Sequence, residues 1–247
     1  MDIKGSAALV TGGAVRIGRA IVEALAERGC TVLVHYSRSR VEAEVLVRAV
    51  RARGGTAHAL RGNLERPAAC AKLIAQAQSR DARLNILINN AAVFHKESLA
   101  EMTAASLQRE FQINLFAPML LTQAFAAAVA RRHVPGHVVN IVDRRVATHE
   151  AGCIPYLLSK KALADFTRSA ALELAPAIAV NAIAPGAVLP PPGKGAAAIR
   201  ELAGRAPLRH RCQPRDVARA VAFLLESEGI TGQTIFVDSG QHLQGAT

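Results

Sequence analysis

Short runs of β-branched and aliphatic residues alternate with longer segments of helical period, and this alternation restricts the fold more than any other feature of the chain. In the first helical segment Ile17, Ile21 and Leu25 fall four residues apart on one face, and Gly29 supplies a stop. Strands that alternate with helices form a parallel sheet covered on both faces, so we predict an α/β fold with a doubly wound parallel sheet of about seven strands. The predicted strands are 6–11, 30–36, 56–60, 84–89, 137–142, 178–184 and 234–237, and the predicted helices are 17–28, 40–53, 66–79, 99–131 (as two helices), 155–175 and 213–226.

Length, cysteine spacing and the N-terminal sequence favour one domain in a reducing compartment. The chain has 247 residues, of which 51% are hydrophobic, and no Ser/Gly-rich tract or charge block marks a linker, so we predict a single domain over residues 1–247. The first residues show no secretory signal pattern. The four cysteines lack the paired spacing of a disulfide framework or a zinc site, which predicts a cytoplasmic protein without a bound metal; they are Cys30, Cys70, Cys153 and Cys212.

The formal net charge of +11 raises nucleic-acid binding as an alternative function. The basic residues are spread along the helical segments and aromatic residues make up only 4% of the chain, so the pattern favours a basic solvated surface and no nucleic-acid partner. The longest apolar region, 115–130, is interrupted by Pro118, Thr122 and Gln123 and is short for a bilayer span. We therefore predict a buried helix there and no membrane association.

The stretch TGGAVRIG, residues 11–18, lies between the first predicted strand and the first predicted helix. Glycine lets the backbone turn tightly and approach a pyrophosphate, and a helix N-terminus offers unpaired N–H groups to the negative charge. A glycine-rich turn alone is a weak signal. Its position between a strand and a helix favours a dinucleotide-binding turn over an ordinary tight turn.

The end of the second predicted strand indicates which dinucleotide binds. An acidic residue at this place usually binds a free ribose 2′-hydroxyl, whereas a 2′-phosphate requires cations. The sequence here is HYSRS, 35–39, which contains no acid, and Arg38 offers a guanidinium fork suited to phosphate, with Arg16 in the first turn as a second cation. The pattern predicts NADP(H) in preference to NAD(H). The alternative is that Arg38 and Arg40 are solvated residues at a helix start.

The stretch YLLSK places Tyr156 and Lys160 four residues apart, on one face of a helix whose first turn contains Pro155. A tyrosine hydroxyl is a weak acid with an ordinary pKa near ~10. A neighbouring ammonium group lowers that pKa toward the working pH, so the pair is suited to proton transfer. The spacing alone is common by chance.

Six motifs follow one another along the chain: TGGAVRIG, NNAA (89–92), Asn114 in QINLFAP, YLLSK, NAIAPG (181–186) and ITGQTIFVDSG (230–240). In this order they resemble the short-chain dehydrogenase/reductase family over nearly the whole chain. The resemblance implies a Rossmann fold, Tyr156 as proton donor, Lys160 as the residue that holds the nicotinamide ribose and tunes Tyr156, and Asn114 as the support of a water relay. It also implies a homotetramer packed through the helices around 100–131 and 155–175.

The resemblance further implies a substrate lid at about 187–212 and a set of contacts to NADP(H). Those contacts are Gly12, Arg16, Ile17, Gly18, His35, Tyr36, Arg38, Ser39, Asn63, Leu64, Asn90, Ala91, Tyr156, Lys160, Pro185 and Gly186.

Departures from the usual pattern of that family carry most of the information on the substrate. Arg16 stands where the family usually has glycine, Asn63-Leu64 replaces an Asp followed by Val or Leu, and NNAA replaces NNAG. Most important, Asp143 replaces the catalytic serine expected after the fifth strand. Arg16, the stretch HYSRS, Phe94 and Asp143 together resemble the pteridine reductase branch, which includes the dihydromonapterin reductases. By that resemblance Phe94 and the nicotinamide sandwich a flat pterin ring, with Arg16 near the ring and Asp143 facing it beside Tyr156.

A carboxyl group at position 143 fits a nitrogen heterocycle better than a ketone. Reduction of a C=N bond requires hydride at carbon and a proton at nitrogen, and the amino-pyrimidinone edge of a pterin offers several donors and acceptors. A carboxyl group exchanges hydrogen bonds or a proton with such groups, whereas a serine hydroxyl only polarises a carbonyl. The alternatives are that Asp143 caps the following segment and that Phe94 is a core or interface residue. Whether Arg144 and Arg145 face the pocket or solvent is left open.

The sequence as a whole predicts an NADPH-dependent reductase of dihydropterins or related folate-like heterocycles, with Tyr156 and Asp143 handling protons. The nearest alternative is a carbonyl or quinone reductase. A non-catalytic cofactor-sensing or nucleic-acid-binding protein is the alternative from another class, and the intact set of Asn114, Tyr156 and Lys160 argues against it. The predicted substrate contacts are Arg16, Phe94, Asp143 and Tyr156.

Overall fold

The computed structural model describes residues 1–190, 204 and 206–244. Within these residues the strands are β1 (Ala7–Val10), β2 (Thr31–Tyr36), β3 (Ala57–Arg61), β4 (Leu84–Asn89), β5 (Gly136–Ile141), β6 (Ile178–Pro185) and β7 (Thr234–Val237). They form a sheet of seven strands in the order β3-β2-β1-β4-β5-β6-β7, with every neighbouring pair parallel. Each predicted strand is present, with its ends shifted by one residue at most.

Helices connect the strands and cover the sheet. In the described part of the chain the α-helices are α1 (Arg16–Glu27), α2 (Arg40–Ala52), α3 (Ala68–Arg80), α4 (Ala104–Phe111), α5 (Ala117–Ala130), α6 (Ile154–Leu174) and α7 (Pro214–Glu226). Short 3-10 helices span Arg144–Ala147 and Gln241–Gln244.

The side chains of β1 alternate between two hydrophobic cores, as the twofold period of a strand requires. Ala8 and Val10 pack in the core shared with α1, α2 and α7. Leu9 packs in the core shared with α3, α5 and α6. Both faces of the parallel sheet are therefore covered, which confirms the predicted doubly wound Rossmann fold.

The strand order reverses beside β1. From β1 the chain winds outward through β2 to β3 and then returns to β4, which pairs with the other edge of β1. In doubly wound sheets such a reversal opens a crevice at the carboxyl ends of the strands. The crevice of this fold therefore lies beyond the carboxyl ends of β1 and β4.

The region 99–131 differs from the expected pair of separate helices. It becomes helical only at Ala104, and α4 continues through a π-helical turn, Gln112–Phe116, into α5 without a break. Pro118 has no N–H to donate to the carbonyl of Asn114 four residues earlier, and its ring would clash with that carbonyl in a regular α-helix. The wider π turn accommodates the ring.

The combined helix Ala104–Ala130 is long and apolar enough, by length and composition alone, to cross a membrane. Of its apolar window, 56% is buried inside the protein. This burial fits the core helix that the sequence predicts for the region.

Two predictions reach beyond the described residues. The substrate lid expected at about 187–212 includes residues 191–203 and 205, which lie outside them. The single domain expected over 1–247 stays a prediction, although the described strands all belong to one sheet.

Candidate active site

A cleft of about 650 Å³ opens at the carboxyl ends of β1, β2, β4, β5 and β6. All residues that the sequence predicts to bind cofactor or substrate, or to catalyse, line this cleft, with the exception of Asn114. The fold thus brings the sequence motifs together at the crevice that the strand order creates.

The turn between β1 and α1 is too tight for a side chain at two of its glycines. Gly12 has a φ of +60°, and a Cβ there would lie 3.1 Å from the Cα of Ala91. A Cβ on Gly18 would lie 2.6 Å from Nδ2 of Asn90. The turn therefore packs directly on the segment that follows β4, as a dinucleotide-binding turn must.

Arg16 adopts the left-handed backbone conformation that glycine adopts most readily, with a φ of 56°. For a residue with a Cβ this conformation costs on the order of 1 kcal/mol. Both Nη atoms of its guanidinium donate to the carbonyl of Pro190 at 3.2 Å. Arg16 thus connects the start of α1 with the segment that follows β6, across one side of the cleft. Its contact with a pterin ring stays a prediction.

No side chain caps the first N–H groups of α1, so these groups are able to bind an anion. Its N-cap residue, Val15, provides no side-chain hydrogen bond, and its first turn contains no acidic residue. The first N–H groups of a helix lack intrahelical partners and carry partial positive charge. A pyrophosphate satisfies such donors, so the residues present fit a bound dinucleotide.

His35 holds the glycine turn, although the sequence-based assignment makes it a cofactor contact. Its ring lines the cleft, but only 2% of the residue is exposed. Nδ1 accepts the Gly12 N–H at 3.1 Å and Nε2 lies 3.2 Å from the Gly62 carbonyl, a pair of contacts that one neutral tautomer satisfies. Burial lowers the pKa of His35 to about 4, so the ring is uncharged at neutral pH. A neutral ring with both nitrogens engaged has no donor left for a phosphate.

Thr11 and Asn90 lock the glycine turn to the end of β4. Oγ1 of Thr11 accepts the N–H groups of Asn90 and Ala91 at 2.9 and 3.0 Å. Nδ2 of Asn90 donates to the carbonyls of Thr11 and Gly12 at 2.8 and 3.1 Å. The predicted cofactor residue Asn90 therefore also shapes the turn, together with Thr11, which the sequence reasoning missed.

Arg38, which follows β2, is a cation able to bind a phosphate in the cleft. Arg38 is exposed at the cleft, and its guanidinium makes no ion pair or hydrogen bond with another described residue. Arg40 instead pairs with Glu44 on α2 at 2.7 Å, so the interpretation as a solvated helix residue applies to Arg40. Ser39 is the N-cap of α2 and its side chain makes no capping bond there. Arg38 and Ser39 remain suited to a 2′-phosphate.

The hydroxyl of Tyr156 donates a hydrogen bond to Oδ2 of Asp143 at 2.9 Å. Asp143 lies two residues beyond β5 and Tyr156 lies in the first turn of α6, so a strand end and a helix start meet here. Oδ1 of Asp143 accepts the backbone N–H of Arg145 at 2.9 Å and thereby caps the 3-10 helix that follows. The capping interpretation of Asp143 is therefore confirmed, and its other oxygen faces Tyr156; its contact with a substrate stays a prediction.

The pKa of Tyr156 is raised well above its ordinary value, first by burial and then by the charge of Asp143 and the hydrogen bond to it. The net direction is the opposite of the lowering that the sequence predicts, and the tuning role of Lys160 stays a prediction. Nζ of Lys160 lies 6.0 Å from the centroid of the tyrosine ring and donates to the carbonyl of Ile141 at 2.7 Å. Tyr156 is consequently protonated throughout the neutral range and can act as a proton donor.

Lys160 is itself buried, with 2% of the residue exposed. Burial lowers its pKa to about 8, although the charges of Asp143 and Glu110 act in the opposite sense. Its ammonium group is therefore still mainly present at neutral pH but is lost at a lower pH than that of an exposed lysine.

Arg145 faces the cleft and holds Asp143, which answers the question that the sequence left open. Its Nη1 lies 3.2 Å from Oδ2 of Asp143, and its Nε donates to Glu150 at 2.6 Å. Burial disfavours its charge, but the hydrogen bond to Glu150 and the charges of Asp143 and Glu150 raise its pKa above the ordinary value. Arg144 pairs with Glu150 at 3.6 Å. Arg145 is thus a permanent cation beside the carboxylate that faces Tyr156.

Phe94 lines the cleft with 38% of the residue exposed, so it is not the core packing residue of the alternative interpretation. Its ring centroid lies 4.7 Å from that of Tyr156 in an edge-on arrangement with an interplanar angle of 74°. The guanidinium carbon of Arg145 lies 5.6 Å from the Phe94 centroid. An exposed aromatic face next to the proton donor is suited to a flat substrate.

Asn114 is fully buried and is absent from the cleft wall. Its Oδ1 accepts the Val93 N–H at 2.9 Å, and its Nδ2 donates to the Val93 carbonyl at 3.0 Å and to Oε2 of Glu110 at 2.7 Å. The side chain is therefore occupied within the protein. The predicted water relay stays a prediction.

Three polar residues around the site were missed in the sequence: Thr11, Glu110 and Glu150. A signal existed for Glu110, because it lies one helical turn before Asn114 and so shares its buried face. Thr11 ends the first strand, where parallel strands place functional groups. No local sequence pattern indicates a role for Glu150, because its contacts with Arg144 and Arg145 depend on the shape of the loop between β5 and α6.

The chain is similar to known proteins over nearly its whole length. A family profile described as Enoyl-(Acyl carrier protein) reductase matches residues 13–242. An uncharacterized oxidoreductase of Mycobacterium tuberculosis (strain CDC 1551 / Oshkosh) is 34% identical over 239 residues, covering 94% of this chain and 90% of that protein. A 3-oxoacyl-[acyl-carrier-protein] reductase of a Synechocystis strain is 31% identical over 237 residues, covering 94% of this chain and 95% of that protein.

A solved structure matches the fold closely. The crystal structure of FolM alternative dihydrofolate reductase 1 from Brucella canis, complexed with NADP, has a TM-score of 0.95 and 36% sequence identity. The match covers 100% of this chain and 97% of that chain.

Proposed function

The chain belongs to the short-chain dehydrogenase/reductase family and is an NADPH-dependent oxidoreductase, and we propose that its substrate is a pterin-type heterocycle reduced from the dihydro to the tetrahydro form. The observation that carries the proposal is the carboxylate of Asp143, 2.9 Å from the Tyr156 hydroxyl, where the family usually has a serine. The likeness to an alternative dihydrofolate reductase supports the same class of substrate.

The cleft offers a group for each part of NADP(H). The glycine turn and the N-terminus of α1 would hold the pyrophosphate, Arg38 and Ser39 the 2′-phosphate, and Lys160 the nicotinamide ribose. When bound, NADPH supplies the hydride that the substrate accepts at carbon. The protein then has to orient the heterocycle and deliver one proton to its ring nitrogen.

Tyr156 is the proton donor in this scheme, because its raised pKa keeps the hydroxyl protonated at neutral pH. As the ring carbon gains hydride, the electron pair of the C=N bond moves to nitrogen, and the nitrogen takes the hydroxyl proton. The O–H electron pair stays on the tyrosine oxygen. The resulting phenolate faces the Asp143 carboxylate, and the cations of Arg145 and Lys160 offset that repulsion until solvent returns the proton.

Asp143 and Phe94 orient the heterocycle. The carboxylate of Asp143 accepts hydrogen bonds from ring N–H and amino groups, which a pterin has and a simple ketone lacks. The exposed face of Phe94 stacks on a flat ring. A ketone in the same place offers the carboxylate no hydrogen-bond donor and so gains nothing from it.

A carbonyl reductase is the second candidate, and the relative named 3-oxoacyl-[acyl-carrier-protein] reductase favours it. The carboxylate at position 143 argues against it, because carbonyl reduction in this family uses a hydroxyl there. The two functions are separated by the substrate test below.

We also propose the homotetramer that the family resemblance implies. Exposed apolar side chains lie on the long helices expected at its interfaces: Phe116 at 43%, Met119 at 39% and Leu158 at 46% exposure. Packing of these helices against other copies of the chain would cover those side chains.

Replacing Arg38 by alanine is expected to raise the KM for NADPH by about 10- to 100-fold, since a hydrogen bond to a charged group contributes about 1.5–3 kcal/mol. The KM for NADH should change little, because NADH has no 2′-phosphate. Steady-state kinetics with both cofactors measure the effect. Arg40→Ala is the matched control, because Arg40 already pairs with Glu44. An unchanged KM for NADPH in the Arg38 variant would contradict the assigned phosphate contact.

The proposed substrate class is tested by a screen of NADPH oxidation. Dihydrobiopterin, dihydromonapterin and dihydrofolate are compared with a panel of ketones and quinones, and the loss of NADPH absorbance is followed. We expect a kcat/KM for at least one dihydropterin well above that for every ketone. Turnover of ketones or quinones without turnover of any dihydropterin would refute the proposal in favour of the second candidate.

A further inference from the structure

We propose that Glu110 is a positioning residue that fixes Phe94 in the cleft and thereby sets the affinity for the substrate. The proposal rests on the proposed function in one respect, since it takes Phe94 as the surface on which a flat substrate stacks. Glu110 lies on α4, does not line the cleft and transfers no proton in the proposed scheme, in which its charge only adds to that of Asp143 in favouring the Lys160 ammonium group. Its action on the substrate is therefore indirect.

Glu110 is a buried carboxylate. Its two oxygens are hydrogen-bonded to His95, in the segment that follows Phe94, and to Asn114, one helical turn away. Only 2% of Glu110 is exposed, and an unpaired charge at such a place is strongly unfavourable. Oε1 accepts the backbone N–H of His95 at 2.9 Å and contacts Nδ1 of the same residue at 2.8 Å. Oε2 accepts Nδ2 of Asn114 at 2.7 Å. Three donors thus converge on the carboxylate.

The contacts of Glu110 and Asn114 hold the backbone on both sides of Phe94. The amide of Asn114 pairs with the N–H and the carbonyl of Val93 at 2.9 and 3.0 Å, and Glu110 holds the N–H of His95. Asn114 is itself oriented by Glu110, one helical turn away. The Cα of Phe94 therefore lies between two anchored residues, and its ring is held 4.7 Å from the ring of Tyr156.

The same segment is tied down again a few residues later. Glu97 donates its N–H to the carbonyl of Gly152 at 2.9 Å, and its carboxylate accepts the Ser106 hydroxyl at 2.6 Å. Gly152 lies two residues before the start of α6, which carries Tyr156. The segment from Val93 to Glu97 is consequently attached both to α4 and to the start of α6. Loss of the Glu110 contacts therefore removes an anchor from the first half, which contains Phe94, while the anchors at Glu97 remain.

The identity of residue 110 matters because all three contacts come from donors. A carboxylate accepts at both oxygens, whereas a glutamine of the same shape offers one oxygen and one NH₂ group. In either orientation the NH₂ group of a glutamine would face a donor of His95 or of Asn114. The substitution therefore removes at least one hydrogen bond and places the glutamine NH₂ group against another donor. It does so without a large change in side-chain volume.

The test is Glu110→Gln, with Glu101→Gln as the matched control. Glu101 is an exposed carboxylate that accepts from Ser98, at the end of the same segment, at 2.9 and 2.7 Å. We expect Glu110→Gln to raise the substrate KM by about tenfold, the size of effect that one lost charged hydrogen bond produces. The affinity for NADPH, measured by fluorescence titration, should not change. Glu101→Gln should match the wild type in both measurements.

A purely structural role is separated by repeating the substitution in a Phe94→Ala background. If Glu110 acts by placing the ring, Glu110→Gln adds almost nothing once the ring is removed. An unchanged substrate KM, an equal rise in the Phe94→Ala background, or a parallel loss of NADPH affinity would each overturn the proposal. Should the wild type reduce a ketone or quinone and no pterin, the proposed function fails, and the same five proteins (the wild type, the three single variants and the double variant) are compared on that substrate.

Discussion

Replacing Tyr156 by phenylalanine is expected to lower kcat by about 10²–10⁴-fold, the contribution of a positioned proton donor. The hydroxyl is the group of Tyr156 that contacts Asp143, at 2.9 Å, and phenylalanine removes only this group. The ring contact with Phe94 is retained, so the shape of the cleft is kept. We therefore expect the affinity for NADPH to stay close to that of the wild type. Steady-state kinetics and a fluorescence titration with NADPH measure the two effects.

The pH dependence of the wild type provides a second measurement for Tyr156. A proton donor is present below its pKa, and burial together with Asp143 raises the pKa of Tyr156 well above its ordinary value. The reduction rate should therefore not fall through loss of this proton anywhere in the neutral range. Asp143→Asn removes a charge that raises this pKa, so the point at which the proton is lost should move to lower pH. A Tyr156→Phe variant with the wild-type kcat would show that the proton comes from elsewhere.

Replacing Asp143 by serine is expected to lower kcat/KM for a dihydropterin by about 100-fold, because the loss of one partner from a charged hydrogen bond in a partly buried site costs roughly 3 kcal/mol. The substrate loses its acceptor and Arg145 loses the carboxylate that lies 3.2 Å away. A serine hydroxyl still polarises a carbonyl, so the ratio of ketone to pterin turnover should rise. Kinetics with one substrate of each class measure that ratio.

Asp165→Ser is the matched control for Asp143→Ser. Asp165 lies on the exposed surface of α6 and pairs with Arg168 at 2.8 Å, and such surface pairs contribute about 0–1 kcal/mol. This control should leave both activities unchanged. Dihydropterin turnover that survives Asp143→Ser undiminished would remove the main support for a pterin substrate.

Much of the site could be predicted because its residues lie in short motifs with local meaning. The glycine turn was recognisable from its position between a strand and a helix, and Tyr156 and Lys160 from their spacing of one helical turn. The structure places these motifs in one cleft. The parallel sheet explains this, because consecutive βα connections all leave from the same edge.

The roles of individual side chains were harder to predict. His35 follows the pattern of a cofactor contact, yet its ring spans from Gly12 to Gly62 and is neutral. Lys160 has the spacing of a group that lowers the pKa of Tyr156, yet burial and Asp143 dominate and raise it. In both cases desolvation outweighs the local pattern, and desolvation depends on residues distant in sequence.

The sequence by itself determined the order of strands and helices, the position of the glycine turn and the presence of an acid where the family has a serine. These features follow from periodicity and from neighbouring residues, which act over one or two turns of chain. Only the tertiary structure decided that Arg145 faces Asp143, that Glu110 holds the segment around Phe94, and that burial and Asp143 raise the pKa of Tyr156. The physical reason is that burial and hydrogen-bond partners come from the packing of separate elements, and the local sequence contains no information on which distant groups will surround a side chain.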